Sequence, residues 1–287
     1  MANCRPRCPK LLALFWLLRL NRTMMVAIIT GAGAFAAGAG VCSSLWMTLA
    51  GWCLAVGGFS LDFYADRDLD VEGPRAGVRH NPLADHSLSP TRGLAFSLIF
   101  IAASLALTLS IAPRALLPWG IIVAVIIGLA LHIFETPIAR ALTLGLLQAL
   151  YLLMGGVVGN LSPGLGLLAG MFFFAMFGGR GMIDIRDFPQ DEPTRVQTLP
   201  KRYGTRRTAW FTAICLLIAS ALSLVAYLTG EFSAVYLCLD MAFIALNLVG
   251  AWLFVRRPNP QLAYVLTIAF MMGAGLIICL AIILGSM

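Results

Sequence analysis

Residues 165–191 read LGLLAGMFFFAMFGGRGMIDIRDFPQD. No residue from Leu165 to Gly179 is charged, and the stretch runs on to Ile185 with only Arg180 and Asp184 intervening. An α-helix needs about 20 mainly apolar residues to cross the hydrocarbon of a bilayer, so Leu165 to Ile185 predicts a transmembrane helix. Its end is different: Asp184 and Asp187 are three apart and share a helix face, and Asp191 follows one turn on. The stretch therefore predicts a membrane span with a carboxylate face at one mouth.

Working outward, the rest of the chain repeats the apolar pattern. Of 287 residues, 60% are hydrophobic and 11% charged, with a mean hydropathy of +0.89, whereas a soluble domain carries about 25% charged residues. That is too little charge to coat a water-soluble surface, and it leaves no room for a separate soluble domain. Splitting at charged and Pro/Gly-rich stretches gives nine spans: Thr23 to Gly40, Ser44 to Phe63, Gly93 to Ile111, Leu116 to Ile133, Ala141 to Gly159, Leu165 to Ile185, Thr208 to Leu228, Ser233 to Val255 and Leu262 to Leu284. In lipid only helices or a closed barrel satisfy the backbone, and these runs lack barrel alternation, so the expected fold is an all-α polytopic membrane protein.

Ahead of the spans, residues 1–22 combine a basic start with the short apolar run Leu11 to Leu18, interrupted by Arg19 and Arg22. With no small-residue cleavage site after it, this reads as a basic amphipathic segment on the membrane surface, leaving 23–287 as one nine-helix domain. Of the seven cysteines, five lie in apolar runs and act as small hydrophobes. Cys4 and Cys8 lack the further ligands that a zinc site needs.

Loop charge sets the orientation, because cytoplasmic loops collect Lys and Arg. With nine spans, every one of the 20 basic residues except Arg114 falls on one side, and so does every acidic residue except Glu231 and Asp240. The N-terminus is therefore expected in the cytoplasm and the C-terminus on the opposite side.

A second carboxylate face lies on that same cytoplasmic side. The end of span two reads Leu61-Asp62-Phe63-Tyr64-Ala65-Asp66-Arg67-Asp68-Leu69-Asp70, placing Asp62, Asp66 and Asp70 at i, i+4 and i+8 if the helix continues. Like charges so spaced oppose a helix by about 0.2–0.5 kcal/mol per pair, and more near a membrane, so a cation is expected to compensate them. All-oxygen ligands favour hard ions, and Mg²⁺ in particular is held by one or two carboxylates together with substrate phosphates. Two stripes facing one another would clamp a diphosphate through metal ions.

These motifs resemble those of the UbiA-type superfamily of intramembrane prenyltransferases. Its first motif is Asn-x-x-x-Asp-x-x-x-Asp, whose positions are filled by Asp62, Asp66 and Asp70. Its second, Asp-x-x-Asp-x-x-x-Asp, matches Asp184, Asp187 and Asp191, and Thr198-Leu199-Pro200-Lys201-Arg202-Tyr203-Gly204 follows where the family carries Thr-Leu-Pro-x-x-x-Gly. Asn81-Pro82-Leu83-Ala84-Asp85-His86-Ser87-Leu88-Ser89-Pro90 is similar to the family's Arg-Pro-Leu-Ala-Ser-Gly-x-Ile-Ser-Pro. The departures are Asp62 for Asn, Asn81 for Arg and Asp85-His86 for Ser-Gly.

The resemblance implies nine helices around a central cavity and transfer of a prenyl group from a polyprenyl diphosphate to a lipophilic acceptor, an aromatic or quinone precursor or a glyceryl ether. Asp62, Asp66, Asp70, Asp184, Asp187 and Asp191 would hold the metal ions. Lys201 and Arg140, with Arg67 and Arg202, would meet the diphosphate oxygens. The polar residues to search for acceptor contacts are Tyr151, Gln148 and Asn160 on span five, with Asn21 and Arg22 at the start of span one. The Met171 to Phe177 stripe reads first as helix packing and lipid contact, although it could line a prenyl cleft. Expected partners are a prenyl diphosphate donor, an acceptor and the bilayer, with no nucleic acid. Two other functions remain open, terpene cyclisation by the same ionisation chemistry and transport of cations or phosphate. Against transport, no polar trail crosses from the acidic clusters to the other side.

Overall fold

The computed structural model describes residues 10–68, 81–134, 136–192 and 197–286. Among them every regular element is helical. The helices are α1 (Lys10–Leu18), α2 (Leu20–Ala36), α3 (Val41–Ala65), α4 (Pro90–Ile111), α5 (Leu116–Ala130), α6 (Pro137–Gly156) and α7 (Pro163–Asp191). There follow α8 (Leu199–Tyr203), α9 (Thr205–Leu228), α10 (Ala234–Arg256), α11 (Pro260–Ile268) and α12 (Gly275–Gly285).

Proline starts several of them. Pro90, Pro137, Pro163 and Pro260 each open a helix, where the missing N–H costs nothing and the fixed φ suits the helix. The residue before three of these prolines caps the new helix through its side chain: Thr136 accepts from the Ala139 N–H, Ser162 from that of Leu165 and Asn259 from that of Leu262. Gly204, the glycine of the Thr-Leu-Pro motif, has φ +81°, a backbone open to glycine and strained for other residues. It turns the chain from α8 into α9.

Eight helices among the described residues are long and apolar enough to cross a membrane. Where the ninth span, Leu262 to Leu284, is expected, α11, a π-helical turn at Ala269–Ala274 and α12 follow in series. Most span ends lie within a few residues of those expected, and the largest difference is in α7. It runs six residues beyond Ile185 to Asp191, so Asp187 and Asp191 stand on the same continuous helix as Asp184.

The start also differs from expectation. The boundary at residue 22 falls inside α2, and the break comes at Arg19, with φ +44°. The Arg19 guanidinium lies 3.8 Å from the centroid of the Phe63 ring and 3.4 Å from Asp62, which holds the kink. Ahead of it, α1 buries Ala13 and Leu17 against Phe63, Leu83 and Leu88, and turns Leu12, Phe15 and Trp16 outward.

Around the molecule α2 packs on α3 and α6, α6 on α7, α7 on α9, α9 on α10, and α10 on α12, which closes the ring by returning to α2. Small residues permit the close approaches. A Cβ on Gly155 would lie 1.8 Å from the Thr30 carbonyl oxygen, and one on Gly33 would lie 2.0 Å from that of Leu152, so α2 and α6 touch backbone to backbone. Buried hydroxyls add interhelical bonds: Ser97 Oγ donates to Gly57 O at 2.7 Å, Ser104 Oγ to Ala50 O at 2.8 Å and Thr212 Oγ1 to Gly178 O at 2.9 Å. Leu98, Ile99, Leu117, Trp210, Val249 and Val265 are exposed, an outward face suited to lipid rather than water. The packing leaves a cavity of about 340 Å³ inside the ring.

Candidate active site

The cavity has a polar mouth and an apolar floor. At the mouth stand Asp62 and Asp66 from the end of α3, Asp187 and Asp191 from the end of α7, and the cations Arg22, Arg140 and Arg180. Along α7 the lining extends down from Asp191 to Met171, about 30 Å at 1.5 Å per residue. The floor includes Met171, Phe172, Leu216, Phe243, Phe270 and Ile278. The Met171–Phe177 stripe therefore divides: Met171, Phe172, Ala175 and Met176 face the cavity. Phe177 packs edge-on against Phe211, and Phe173 lies between Phe174 and Phe177.

The first carboxylate face is built by the last turn of α3. Asp66 caps that helix, its N–H donating to Asp62 O at 2.9 Å, and its Oδ1 lies 3.9 Å from His132 Nε2. Asp62 is shared with Arg19. Asp70 lies outside the described residues. Beneath the helix end, Asn81 donates from Nδ2 to Phe63 O at 2.9 Å and accepts the Leu83 N–H at 3.0 Å. The residue that departs from the family's Arg thus ties the 81–90 loop to α3. His86, at the position that resembles the family's Gly, adopts φ +59°, a left-handed conformation that glycine takes most readily.

The second face is less uniform than its spacing implies. Asp187 and Asp191 reach the cavity wall, and Asp187 meets Arg186 by two bonds of 2.7 and 2.8 Å. Asp184 is absent from that wall. It is buried, with Oδ1 2.7 Å from Arg180 Nε and Oδ2 accepting the Leu199 N–H at 3.0 Å. Asp184 therefore anchors the Thr198-Leu199-Pro200 turn, and with it the α8 helix that carries Lys201.

Of the other expected residues, Arg140, Tyr151, Gln148 and Arg22 line the cavity. Lys201, Arg67, Arg202, Asn21 and Asn160 do not. Arg67 is drawn back along its own helix, donating to Tyr64 O at 2.8 Å and lying over the Tyr64 ring. Arg202 lies over the Tyr203 ring, and Asn21 and Asn160 are exposed. Two mouth residues escaped the sequence reading. Arg180 interrupts the apolar run of its span one turn before Asp184 and belongs to neither motif. His132 belongs to no spacing pattern that would have found it.

Among the described residues, no three of His, Cys, Asp and Glu converge on one point. The site offers carboxylates in ones and twos beside guanidiniums, which is a set for a hard cation that a phosphate ligand completes.

The UbiA prenyltransferase family profile matches residues 24–281. The chain belongs to the UbiA prenyltransferase family. This prenyltransferase is 30% identical over 233 residues to the digeranylgeranylglyceryl phosphate synthase of Natronomonas pharaonis, covering 77% of this chain and 79% of the relative. The enzyme of the same name from Methanosphaera stadtmanae is 26% identical over 210 residues, 71% of this chain and 74% of that one. Among solved structures, that of a digeranylgeranylglyceryl phosphate synthase superposes with a TM-score of 0.76 at 22% identity, covering 96% of this chain and 98% of the other. A UbiA homologue from Archaeoglobus fulgidus bound to DMAPP and Mg²⁺ superposes at 0.73 with 17% identity, covering 92% and 98%. These likenesses establish the UbiA fold, and family membership makes the chain an integral membrane enzyme that transfers prenyl groups.

Proposed function

We propose that this enzyme ionises a long polyprenyl diphosphate at the cytoplasmic mouth of its cavity and transfers the prenyl group to the free hydroxyl of an isoprenyl glyceryl phosphate ether. The observation that carries this is the cavity itself: one space joins the carboxylates of both motifs and three guanidiniums to an apolar floor. A diphosphate fits the first part and a prenyl chain the second. Relatives named for digeranylgeranylglyceryl phosphate support the acceptor class.

Asp66, Asp187 and Asp191, with Asp70, would hold Mg²⁺, which when bound would neutralise charge on the diphosphate oxygens, while Asp62 is paired with Arg19. Arg140 and Arg22 meet those oxygens directly, the fork of a guanidinium suiting two of them at once. The C1–O bond of the donor breaks with its electron pair leaving on the diphosphate. The acceptor oxygen forms the new bond to C1, and its proton passes to the departing diphosphate. The apolar lining next to the mouth, Met182 and Ile183 of α7 with Leu129 and Ala130, keeps water from the allylic cation, and Met171, Phe172 and Met176 take the prenyl chain further down. Asp184 acts from behind the wall as a positioning residue for α8 and Lys201.

The test is an incubation of purified protein with geranylgeranyl diphosphate, Mg²⁺ and geranylgeranylglyceryl phosphate, read by product mass. A mass equal to acceptor plus prenyl group is expected. Release of diphosphate with only a cyclised hydrocarbon would establish cyclisation instead.

A further inference from the structure

Outside the active-site cavity, the α10–α11 hairpin carries a second recess of about 580 Å³ on the carboxylate side of the molecule. Its wall includes Trp252, Arg256, Arg257, Asn259, Gln261 and Val265. The turn between the helices is Arg256-Arg257-Pro258-Asn259-Pro260, in which each proline fixes its φ. The Arg257 N–H donates to Leu253 O at 3.0 Å, the Asn259 N–H to Arg257 O at 2.8 Å, and the Asn259 side chain accepts the Leu262 N–H at 2.8 Å. Two guanidiniums are thus mounted on a turn braced by its own hydrogen bonds.

Their charge is not used internally. Among the described residues no ion pair involves Arg256 or Arg257, and from Met241 to Met287 the sequence holds no Asp or Glu. Arg256 stacks 4.3 Å from the Trp252 ring centroid, which orients a guanidinium while leaving its in-plane donors for an anion. In the same recess, Trp252 and Val265 are 54% and 59% exposed, on helices whose outer faces meet hydrocarbon. The recess therefore offers positive charge at the level of the membrane interface and apolar surface just below it.

We propose that this recess binds the headgroup of an anionic bilayer phospholipid, with Arg256 and Arg257 against the phosphate and Trp252 and Val265 against the first part of the acyl chains. Inorganic phosphate would meet the guanidiniums but none of the apolar wall. Juxtamembrane basic residues are the usual attraction for anionic lipid, and a recess between helices gives them a fixed geometry.

The test uses full-length protein in a neutral detergent, titrated with phosphatidylglycerol or phosphatidylcholine and read by native mass spectrometry for retained lipid. Preferential retention of phosphatidylglycerol is expected. An Arg256→Gln/Arg257→Gln double variant should lose about 20-fold of that preference, the effect of two interfacial guanidiniums. An Arg206→Gln/Arg207→Gln control, which removes two exposed charges from α9, should retain it, and excess inorganic phosphate should not displace the lipid. Equal retention of both lipids, an unchanged Arg256/Arg257 variant, equal loss in the control or displacement by phosphate would each overturn the proposal.

Discussion

Asp62 stands where the family's first motif carries Asn, and the structure shows what accompanies the added charge. Arg19 lies 3.4 Å away, held over the Phe63 ring, so the cation that the carboxylate stacking calls for is supplied by the chain at this position. Replacing Asp62 with Asn should therefore leave the Mg²⁺ dependence of turnover unchanged. It should alter stability by no more than about 1 kcal/mol, the range for a partly exposed ion pair. A Mg²⁺ titration of rate decides it, and a marked rise in the half-saturating concentration would return Asp62 to the metal ligands. Spacing alone grouped Asp62 with Asp66 and Asp187 with Asp191, because helical periodicity is local. It had no means of finding Arg19 as a partner 43 residues away, or Asn81 as the tie beneath α3, since those contacts exist only once the chain has folded.

At the scale of elements, the end of α7 separates two carboxylates that look alike in sequence. Asp187 faces the cavity, whereas Asp184 spends both oxygens on Arg180 and the Leu199 N–H. Asp187→Ala should lower turnover on the order of 100-fold, comparable to losing one preorganised charge at a reacting centre, with little change in thermal unfolding. Asp184→Ala should destabilise the protein by about 2–3 kcal/mol, the cavity giving Arg180 some access to water, and should also impair catalysis by loosening α8. Thermal unfolding in detergent beside a rate assay distinguishes them, and equal stability of the two variants would contradict the separation. The glycines make a sharper case. Nothing in the sequence says which neighbour Gly155 or Gly178 meets. Gly155→Ala should cost about 1–3 kcal/mol as overpacking, because the added methyl would meet the backbone oxygen of Thr30, which cannot rotate away. The π-helical turn at Ala269–Ala274 had no sequence signal at all: its residues are as apolar as the rest of the span, and the register change is a property of backbone packing.

For the whole molecule, the quantity that organises everything is which side the charge lies on. The fold class was legible because lipid leaves so few options, and each run of apolar residues had to become a helix. The ring order was not, since helices of nearly uniform hydrophobicity carry no address for their neighbours. Orientation rests on the loops: with every basic residue but Arg114 on the side of the two carboxylate faces, that side should be cytoplasmic. His86, exposed on the 81–90 loop, and Thr229, in the turn between α9 and α10 on the far side, are suitable reporters once the exposed Cys42 and Cys238, and also Cys4 and Cys8, have been replaced. In intact cells a membrane-impermeant thiol reagent should label Thr229→Cys and spare His86→Cys, and permeabilising the membrane should reverse the protection of the latter. The consequence is chemical as well as topological. Diphosphate donors are water-soluble at one end and should be supplied from the cytoplasm, so a mouth facing outward would deprive the cavity of its substrate. Labelling of His86→Cys from outside intact cells would therefore overturn the orientation and, with it, the cytoplasmic supply of donor on which the proposed transfer depends.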